Sequence, residues 1–247
     1  MKKRFLLFFI TSFLQAAHWG YGIDDGAEKW ASLSPDYALC KTGKRQSPIN
    51  ITRSHLKPTE NQLRFLYKHQ EKVKNIINNG HSVQINFQNG SAVRLKNTYY
   101  SLVQLHFHSP SETQIEGKNF PMEMHIVHQD KQGNTLVIAA LFEEGKENPS
   151  LHKIIESMPQ KVNQSKPFGT LNINNILPKQ NGYYAFDGSL TTPPCNENVQ
   201  WVVFVNPIQI SKKQIETFQA VLHHNARNVQ PLGDRVIEVA PPLPITY

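Results

Sequence analysis

Three features of the sequence predict a mainly β (α+β) fold, in which a mostly antiparallel sheet is accompanied by a few small helices. Short apolar runs with strand character recur from about residue 73, and turn-forming pairs such as Asn79-Gly80 separate them. Helical patterns are few. No repeat and no shift in composition divides the 247 residues, of which 39% are hydrophobic. The chain is therefore expected to form a single domain with a sizeable core.

Six segments have the length and the β-branched or aromatic content of strands. They are Val73–Ile77, Val83–Phe87, Tyr99–His108, Met122–Gln129, Leu136–Phe142 and Trp201–Val205. Residues 18–60 are instead rich in Gly, Pro, Ser and Lys with little periodicity, which predicts an irregular N-terminal arm. The strands follow one another through short loops, so neighbouring strands are expected to pair antiparallel.

Two helices are predicted as accessories to the sheet. The first opens at Asn148-Pro149 and extends to Met158, because proline suits the first turn of a helix. The second opens at Ser211, which forms a capping box with Gln214. Its apolar face comprises Ile215, Phe218, Val221 and Leu222.

The first 17 residues have the composition of an export signal. The basic residues Lys2-Lys3-Arg4 precede a ten-residue apolar run from Phe5 to Leu14, and Ala16-Ala17 follows. Such a run is too short to cross a bilayer as a stop-transfer helix. An uncleaved membrane anchor stays open as the alternative. We expect residues 1–17 to be a signal peptide, residues 18–247 to form the domain, and the protein to be exported, to a periplasm or to the cell surface.

The net charge and the two cysteines indicate which partners and which cellular compartment are compatible with the chain. The formal net charge is +7, and three of the positive residues lie in the signal. The other basic residues are scattered, which argues against nucleic-acid binding. The two cysteines, Cys40 and Cys195, favour one disulfide in an exported chain, with two free buried thiols as the alternative.

Three histidines on two predicted strands form a candidate metal site. His106 and His108 share one face of their strand, about 6.5–7 Å apart, and an adjacent strand about 4.8 Å away would bring His125 beside them. Gln104 and Glu123 each lie two residues before a histidine, so each is placed to accept its outer ring N–H. Three imidazoles leave a fourth position open, as in catalytic zinc sites. Exposed histidine pairs are common on strands and remain the alternative.

Eight motifs follow one another along the chain. They are His18-Trp19-Gly20-Tyr21, Gln46-Ser47-Pro48-Ile49-Asn50-Ile51, Asn78-Asn79-Gly80-His81, Gln104-Leu105-His106-Phe107-His108, Glu123-Met124-His125-Ile126-Val127-His128, Ser189-Leu190-Thr191-Thr192-Pro193-Pro194, Asn225-Ala226-Arg227 and Gln230-Pro231-Leu232. In this order they resemble the motifs of α-class carbonic anhydrases of the bacterial periplasmic type. The resemblance implies a large, twisted, mostly antiparallel central sheet. It also implies reversible hydration of CO2 to bicarbonate and a proton, by attack of zinc-bound hydroxide.

The resemblance implies a role for each matched position. The zinc (Zn2+) ligands are His106, His108 and His125, supported by Gln104, Glu123 and the backbone carbonyl of Asn225. The catalytic residues are His81 as proton shuttle, together with Glu112 and Thr191. The substrate-binding residues are Val127, Val137, Leu190, Thr192 and Trp201. The residues that order the waters leading to His81 are Tyr21, Asn79 and Gln84. Cys40 and Cys195 match the disulfide of the extracellular members.

Four positions depart from the vertebrate pattern of the family. They are Gln84, Ser109, Thr113 and Phe186. The departures put the fine water network and the inhibitor preferences in doubt, and leave the metal ligands intact. Side esterase activity is compatible with such a site.

Two other classes of protein are weighed against the enzyme. A binding protein of the same family would typically lack ligand histidines, and a zinc hydrolase of esters or peptides would normally carry a carboxylate ligand or an HExxH helix, which this chain lacks. The implied partner is the small-molecule pair CO2 and bicarbonate, with no obligatory protein partner and with a homodimer left open.

Overall fold

The structure is a computed structural model that describes residues 18–88, 90–179 and 182–241. The predicted signal peptide, residues 1–17, lies outside the described residues. Among the residues that are described, no helix combines the length and the apolar character needed to cross a membrane.

Strands account for most of the regular structure. They are β1 (Asn50–Ile51), β2 (Leu56–Pro58), β3 (Leu63–Leu66), β4 (Glu71–Asn78), β5 (Val83–Phe87), β6 (Ala92–Leu95), β7 (Thr98–His108), β8 (Gln114–Ile115), β9 (Met122–Gln129), β10 (Thr135–Glu144), β11 (Ser165–Lys166), β12 (Thr170–Leu171), β13 (Tyr183–Ser189), β14 (Glu197–Phe204), β15 (Ile208–Ile210) and β16 (Ile237–Ala240). The helices are α1 (Trp30–Leu33), α2 (Leu39–Thr42), α3 (His152–Ser157) and α4 (Lys212–Leu222), with 3-10 turns at Pro35–Tyr37, Arg53–His55, Pro149–Leu151 and Ile173–Asn175.

One large mixed sheet organises the molecule. Its strand order is β11-β4-β5-β7-β9-β10-β14-β13-β16-β2, with β3, β6, β12 and β15 attached at its sides. Most neighbours pair antiparallel, as predicted, but β10 pairs parallel with both β14 and β15. The long connections that carry the chain from β10 to β14 and β15 make this parallel pairing feasible.

The two faces of the central sheet pack against different clusters. Leu105 and Phe107 of β7 belong to the larger core, where α4 packs Phe218 against Phe107 with ring centroids 4.9 Å apart. Val137 of β10 and Trp201 of β14 point to the opposite side and belong to a smaller apolar cluster. Because successive side chains of a strand point to opposite faces, one face of the sheet packs into the larger core and the other into the smaller apolar cluster beside His125.

The predicted strands are present, with small shifts at their ends. β5 and β9 have the predicted bounds, and β14 begins before the predicted Trp201. The capping box at Ser211 is formed with Gln214. The helix predicted from Asn148 to Met158 is divided into a 3-10 turn and α3, and the arm over residues 18–60 contains short helices and two short strands. β13 is the main strand that the sequence pattern missed, because Asp187 and Gly188 interrupt its apolar run.

A β-bulge interrupts β7 shortly before the histidines. Leu102 pairs with His128 and Gln104 pairs with Val127, so Val103 is left without an opposite residue. Bulges redirect the side chains that follow them. Here the register after the bulge places His106 directly opposite His125.

Candidate metal centre and cavity

Two rows of paired residues cross the sheet on the face that carries the histidines. One row runs Gln84, His106, His125, Ala139, Val203 from β5 to β14. The second row runs Asn86, Gln104, Val127, Val137, Trp201 across the same strands. In both rows the side chains from β5 and β7 are amides or imidazole, and those from β10 and β14 are apolar. One side of the face is therefore hydrophilic and the other is hydrophobic.

The three predicted ligand histidines come together on this face. One nitrogen from each of His106, His108 and His125 lies within 4.8 Å of the other two. The rings of His108 and His125 are the nearest pair, with centroids 4.6 Å apart. His108 and His125 are buried, while His106 is partly exposed. Within the described residues this is the single group of three such side chains close enough to hold an ion.

Each histidine has a partner for its outer ring nitrogen. Nδ1 of His106 lies 2.8 Å from Oε1 of Gln104, and Nδ1 of His108 lies 2.7 Å from the carbonyl oxygen of Asn225. Nε2 of His125 lies 3.0 Å from Oε1 of Glu123. These partners accept hydrogen bonds, so each of these nitrogens must carry the proton. The contacts of Gln104 and Glu123 expected from strand parity are thus formed, as is the contact of Asn225 implied by the family resemblance. Nε2 of His106, Nε2 of His108 and Nδ1 of His125 keep their lone pairs.

The free nitrogens fit a metal ion. Nε2 of His108 is buried and has no hydrogen-bond partner among the described residues, which is costly unless a ligand takes it. Burial, together with the nearby imidazoles of His108 and His125, lowers the pKa of His106 well below its usual value, which favours its neutral ring. Three imidazoles whose lone pairs converge are a donor set that Zn2+ accepts.

Glu112 lies beside the histidines in a buried loop. Its Oε1 accepts the backbone N–H of Arg227 at 2.9 Å, whereas its Oε2 is buried without a hydrogen-bond partner in the described residues, 3.6 Å from Nε2 of His108. Burial raises the pKa of Glu112 to about 7, and the Thr191 hydroxyl is among the nearby groups that lower it. This oxygen therefore needs a donor, and the family resemblance assigns that role to the Thr191 hydroxyl.

We call the space over the histidine-bearing face of the sheet the cavity. Its apolar half is continuous with the smaller cluster. Val137 and Trp201 are buried members of this cluster, and Val127 and Leu190 pack against it while partly exposed. The Trp201 ring meets the His125 ring edge-on with centroids 4.9 Å apart. The four predicted apolar residues thus form one surface that reaches a candidate metal ligand.

A disulfide anchors the loop that carries Thr191 and Thr192. Cys40 and Cys195 are bonded, which confirms the predicted pair. Gln46 reinforces the connection by donating from Nε2 to the carbonyl of Cys195 and accepting from Arg227 at Oε1. This buried network ties the Thr191 loop to the segment that also holds Glu112.

The hydrophilic rim holds His81 and its predicted neighbours. His81 follows Gly80, whose φ of 87° few other residues adopt. Oδ1 of Asn79 accepts the N–H groups of both His81 and Ser82, and Nδ2 of Asn79 donates to Gln84. These contacts fix the orientation of the Asn79 amide and of the turn.

Tyr21 and Trp19 reach the rim from the N-terminal arm. The hydroxyl of Tyr21 is buried without a hydrogen-bond partner in the described part of the chain, and burial raises its pKa well above the usual value. The ring of His81 stacks on Trp19 at 3.8 Å, within 7° of parallel. His81 therefore rests on an indole from a distant segment.

Comparison with known proteins decides the family. The family model described as eukaryotic-type carbonic anhydrase matches residues 25–241. The chain belongs to the eukaryotic-type, or α, carbonic anhydrase family. A carbonic anhydrase of Pectobacterium carotovorum is 43% identical over 231 residues, which are 93% of each chain.

Solved structures share the fold. The α-carbonic anhydrase of Thermovibrio ammonificans, in complex with the inhibitor sulfanilamide, matches with a TM-score of 0.85 and 39% identity, covering 91% of this chain and 100% of its own. Dioscorin complexed with ascorbate matches with a TM-score of 0.84 and 27% identity, covering 92% of this chain and 99% of its own. As a carbonic anhydrase, the present chain acts on CO2.

Four contacts near the carbonic anhydrase cavity were missed at the sequence level. They are the stack of Trp19 on His81, the hydrogen bonds from the Asn225 side chain to the carbonyls of His81 and Phe107, and the hydrogen bond from Thr113 to Glu123. Trp19 and Asn225 both lie in motifs that match the family, and this match could have indicated that they contact the site. No such match pointed to the hydroxyl of Thr113, because this residue departs from the family pattern.

Proposed function

We propose that His106, His108 and His125 hold one Zn2+ ion with which this carbonic anhydrase hydrates CO2 reversibly. The carrying observation is that the outer nitrogen of every ring is hydrogen-bonded while one nitrogen of each ring faces the other two within 4.8 Å. Nε2 of His106, Nε2 of His108 and Nδ1 of His125 would bind the ion. Zinc bound in this way supplies hydroxide from water near neutral pH, a property for which carbonic anhydrase is itself the standard example.

Thr191 and Glu112 orient the nucleophile. A threonine hydroxyl has one proton to donate. When it donates to Oε2 of Glu112, its own oxygen can only accept, so it would hold a nucleophile that carries a proton and would leave a lone pair of that nucleophile free for CO2. Glu112 is held for this task by the backbone N–H of Arg227 at its other oxygen.

The apolar surface excludes water from the place where CO2 rests. Carbon dioxide has no charge and accepts hydrogen bonds weakly, so a surface of hydrocarbon and indole suits it better than a polar one. This surface comprises Val127, Val137, Leu190 and Trp201. Thr192, in the loop closed by the disulfide, would hold the oxygens of bicarbonate.

His81 exports the proton that each turnover produces. A histidine titrates near neutral pH and so can take a proton from a chain of waters and release it to buffer. Tyr21, Asn79 and Gln84 order these waters with their polar groups. The stack on Trp19 keeps the His81 ring at the rim, half-buried and in reach of solvent.

The decisive experiment measures CO2 hydration by stopped flow on zinc-loaded protein, on protein stripped with a chelator, and on protein reloaded with one equivalent of zinc. We expect activity to follow zinc content. Sulfanilamide, which is bound by the Thermovibrio ammonificans relative, should bind the loaded protein and not the stripped one. The variant Thr191→Val should lose about 10²-fold in kcat/KM while it keeps zinc.

The same assay separates the other classes of protein. Dioscorin has this fold and was solved with ascorbate, so the fold alone leaves a binding function open. Zinc-loaded protein that does not hydrate CO2 would refute the proposal in favour of binding. Ester hydrolysis without CO2 hydration would point to a hydrolase, whereas a weak esterase activity beside CO2 hydration is the expected side reaction.

We also propose that the protein is exported and works in a periplasm or at the cell surface. The basic and apolar residues that begin the chain and the disulfide between Cys40 and Cys195 support this location. Cell fractionation should recover a shortened, oxidised chain outside the cytoplasm. Full-length, reduced protein in the cytoplasmic fraction would refute it.

A further inference from the structure

One oxygen of Glu123 serves two donors. His125 donates from Nε2 to Oε1 of Glu123 at 3.0 Å, and the hydroxyl of Thr113 donates to the same oxygen at 2.8 Å. Glu123 and Thr113 are both buried, with exposed fractions of 0% and 1%. Two buried donors therefore share the charge of a single carboxylate oxygen.

The other oxygen of Glu123 is already held by the backbone. Oε2 accepts the N–H groups of Glu112 and Thr113, each at 2.8 Å. Ser111 closes this loop from the other side by donating to the carbonyl of Thr113. Because two backbone donors hold the carboxylate in place, the Thr113 hydroxyl is not required for its position. What the hydroxyl adds is competition with His125 for Oε1.

We propose that Thr113 is a positioning residue that limits how strongly Glu123 polarises His125, and that it thereby weakens zinc binding. This inference rests on the proposed zinc site. A carboxylate that accepts the outer N–H of a ligating histidine makes the ring a stronger donor to the metal. A second hydrogen bond to the same oxygen withdraws part of that charge, so the ring stays closer to a neutral imidazole.

A weaker donor set has a use in this reaction. A ligand that offsets less of the charge of the metal leaves the ion a stronger Lewis acid. Threonine suits the position because its β-branched side chain has few rotamers in a packed site, which keeps the hydroxyl directed at Oε1. The chain thus combines a carboxylate that orients His125 with a hydroxyl that restrains the effect of this carboxylate.

The test compares three substitutions at one position. Thr113→Val replaces the hydroxyl by a methyl of similar volume, Thr113→Ser keeps the hydroxyl and removes the methyl, and Thr113→Ala removes both. Zinc affinity and the rate of zinc release are measured by competition with a chelator, and the stability of the zinc-free protein by thermal unfolding. The ring N–H proton of His125 is followed by NMR in the zinc-loaded protein.

We expect zinc affinity and the stability of the zinc-free protein to change in opposite directions. Thr113→Val should bind zinc about tenfold more tightly, release it more slowly and shift the His125 N–H signal downfield. Its zinc-free form should nevertheless melt at a lower temperature, because Oε1 loses a buried donor. Thr113→Ser should bind zinc as the wild type does. If Thr113→Val does not fold, the pair Thr113→Ser and Thr113→Ala carries the same comparison.

A purely structural role would give parallel losses. Weaker or unchanged zinc affinity in Thr113→Val, or in Thr113→Ala relative to Thr113→Ser, would overturn the inference. Failure of the wild-type protein itself to bind zinc would refute the proposed function instead, so the two failures are distinguishable.

Discussion

The floor and the rim of the cavity are built in opposite ways. On the floor, His106, His108 and His125 belong to two paired strands, and each has its outer nitrogen hydrogen-bonded. At the rim, His81 lies after a turn, half-buried, and is supported by a stack on Trp19 from the N-terminal arm. The sheet holds the floor from both sides, whereas separate segments assemble the rim.

This difference matches the two proposed tasks, metal binding and proton relay. A metal site needs ligands held to within about 0.5 Å of a fixed geometry, and regular elements provide this better than loops. A proton relay must exchange with solvent, so a ring at an accessible edge is suitable. Damage to the floor should therefore abolish the chemistry, while damage to the rim should slow one step.

The largest effect is expected from removing a floor histidine. His125→Ala should lose stoichiometric zinc and reduce CO2 hydration to the background rate while the fold is largely kept, because the neighbouring core is untouched. Gln104→Ala should lower zinc affinity by only about tenfold, since it removes one partner of one ligand. Zinc content by atomic absorption and circular dichroism check both variants. Stoichiometric zinc in the triple variant of His106, His108 and His125 would show that the metal binds elsewhere.

Removing the disulfide tests whether the Thr191 loop is needed for the chemistry, like the floor, or affects one step only, like the rim. The bond spans 155 residues, for which the chain-entropy model gives about 5 kcal/mol of stabilisation. The double variant Cys40→Ser and Cys195→Ser should lose stability of this order in denaturant unfolding. It should also lose activity while it keeps zinc, because the loop that orients the nucleophile is no longer anchored. Equal stability of the oxidised and reduced wild type would contradict this prediction.

A smaller and more selective effect is expected at the rim. His81→Ala should lower kcat by about tenfold to a hundredfold and leave kcat/KM for CO2 nearly unchanged, since the relay acts after CO2 conversion. Added imidazole should restore much of the loss. His55→Ala, at an exposed turn, is the matched control and should change nothing. A parallel fall in kcat/KM would place His81 in the CO2 step.

The smallest effect concerns the charge around His81. Burial lowers the pKa of His81, the neighbouring His18 lowers it further, and Asp25 raises it. His18→Gln should therefore raise the pKa of His81 and move its change of charge to higher pH, whereas Asp25→Asn should lower it. NMR titration of the ring protons measures both shifts. A pKa that does not respond to either variant would show that the arm does not act on the relay.

Much of the floor follows from local pattern alone. The two-residue period of a strand decides that Gln104, His106 and His108 share a face, because this depends on neighbours along one strand. The same period aligns Glu123 with His125. The capping box at Ser211 and the bounds of β9 are equally local, and the structure has them as predicted.

Other features depended on tertiary structure. No periodic pattern encodes these contacts between parts of the chain. They are the bulge at Val103, the parallel pairing of β10 with β14, the stack of Trp19 on His81 and the hydrogen bond from Thr113 to Glu123. The disulfide between Cys40 and Cys195 lies between these two cases. The predicted export to an oxidising compartment favoured a bond, and the family resemblance supported the pairing of these two cysteines. The sequence by itself determined which side chains face the cavity, since facing is set within a strand. Only the tertiary structure decided which distant groups meet there, because packing of segments far apart in the sequence brings them together.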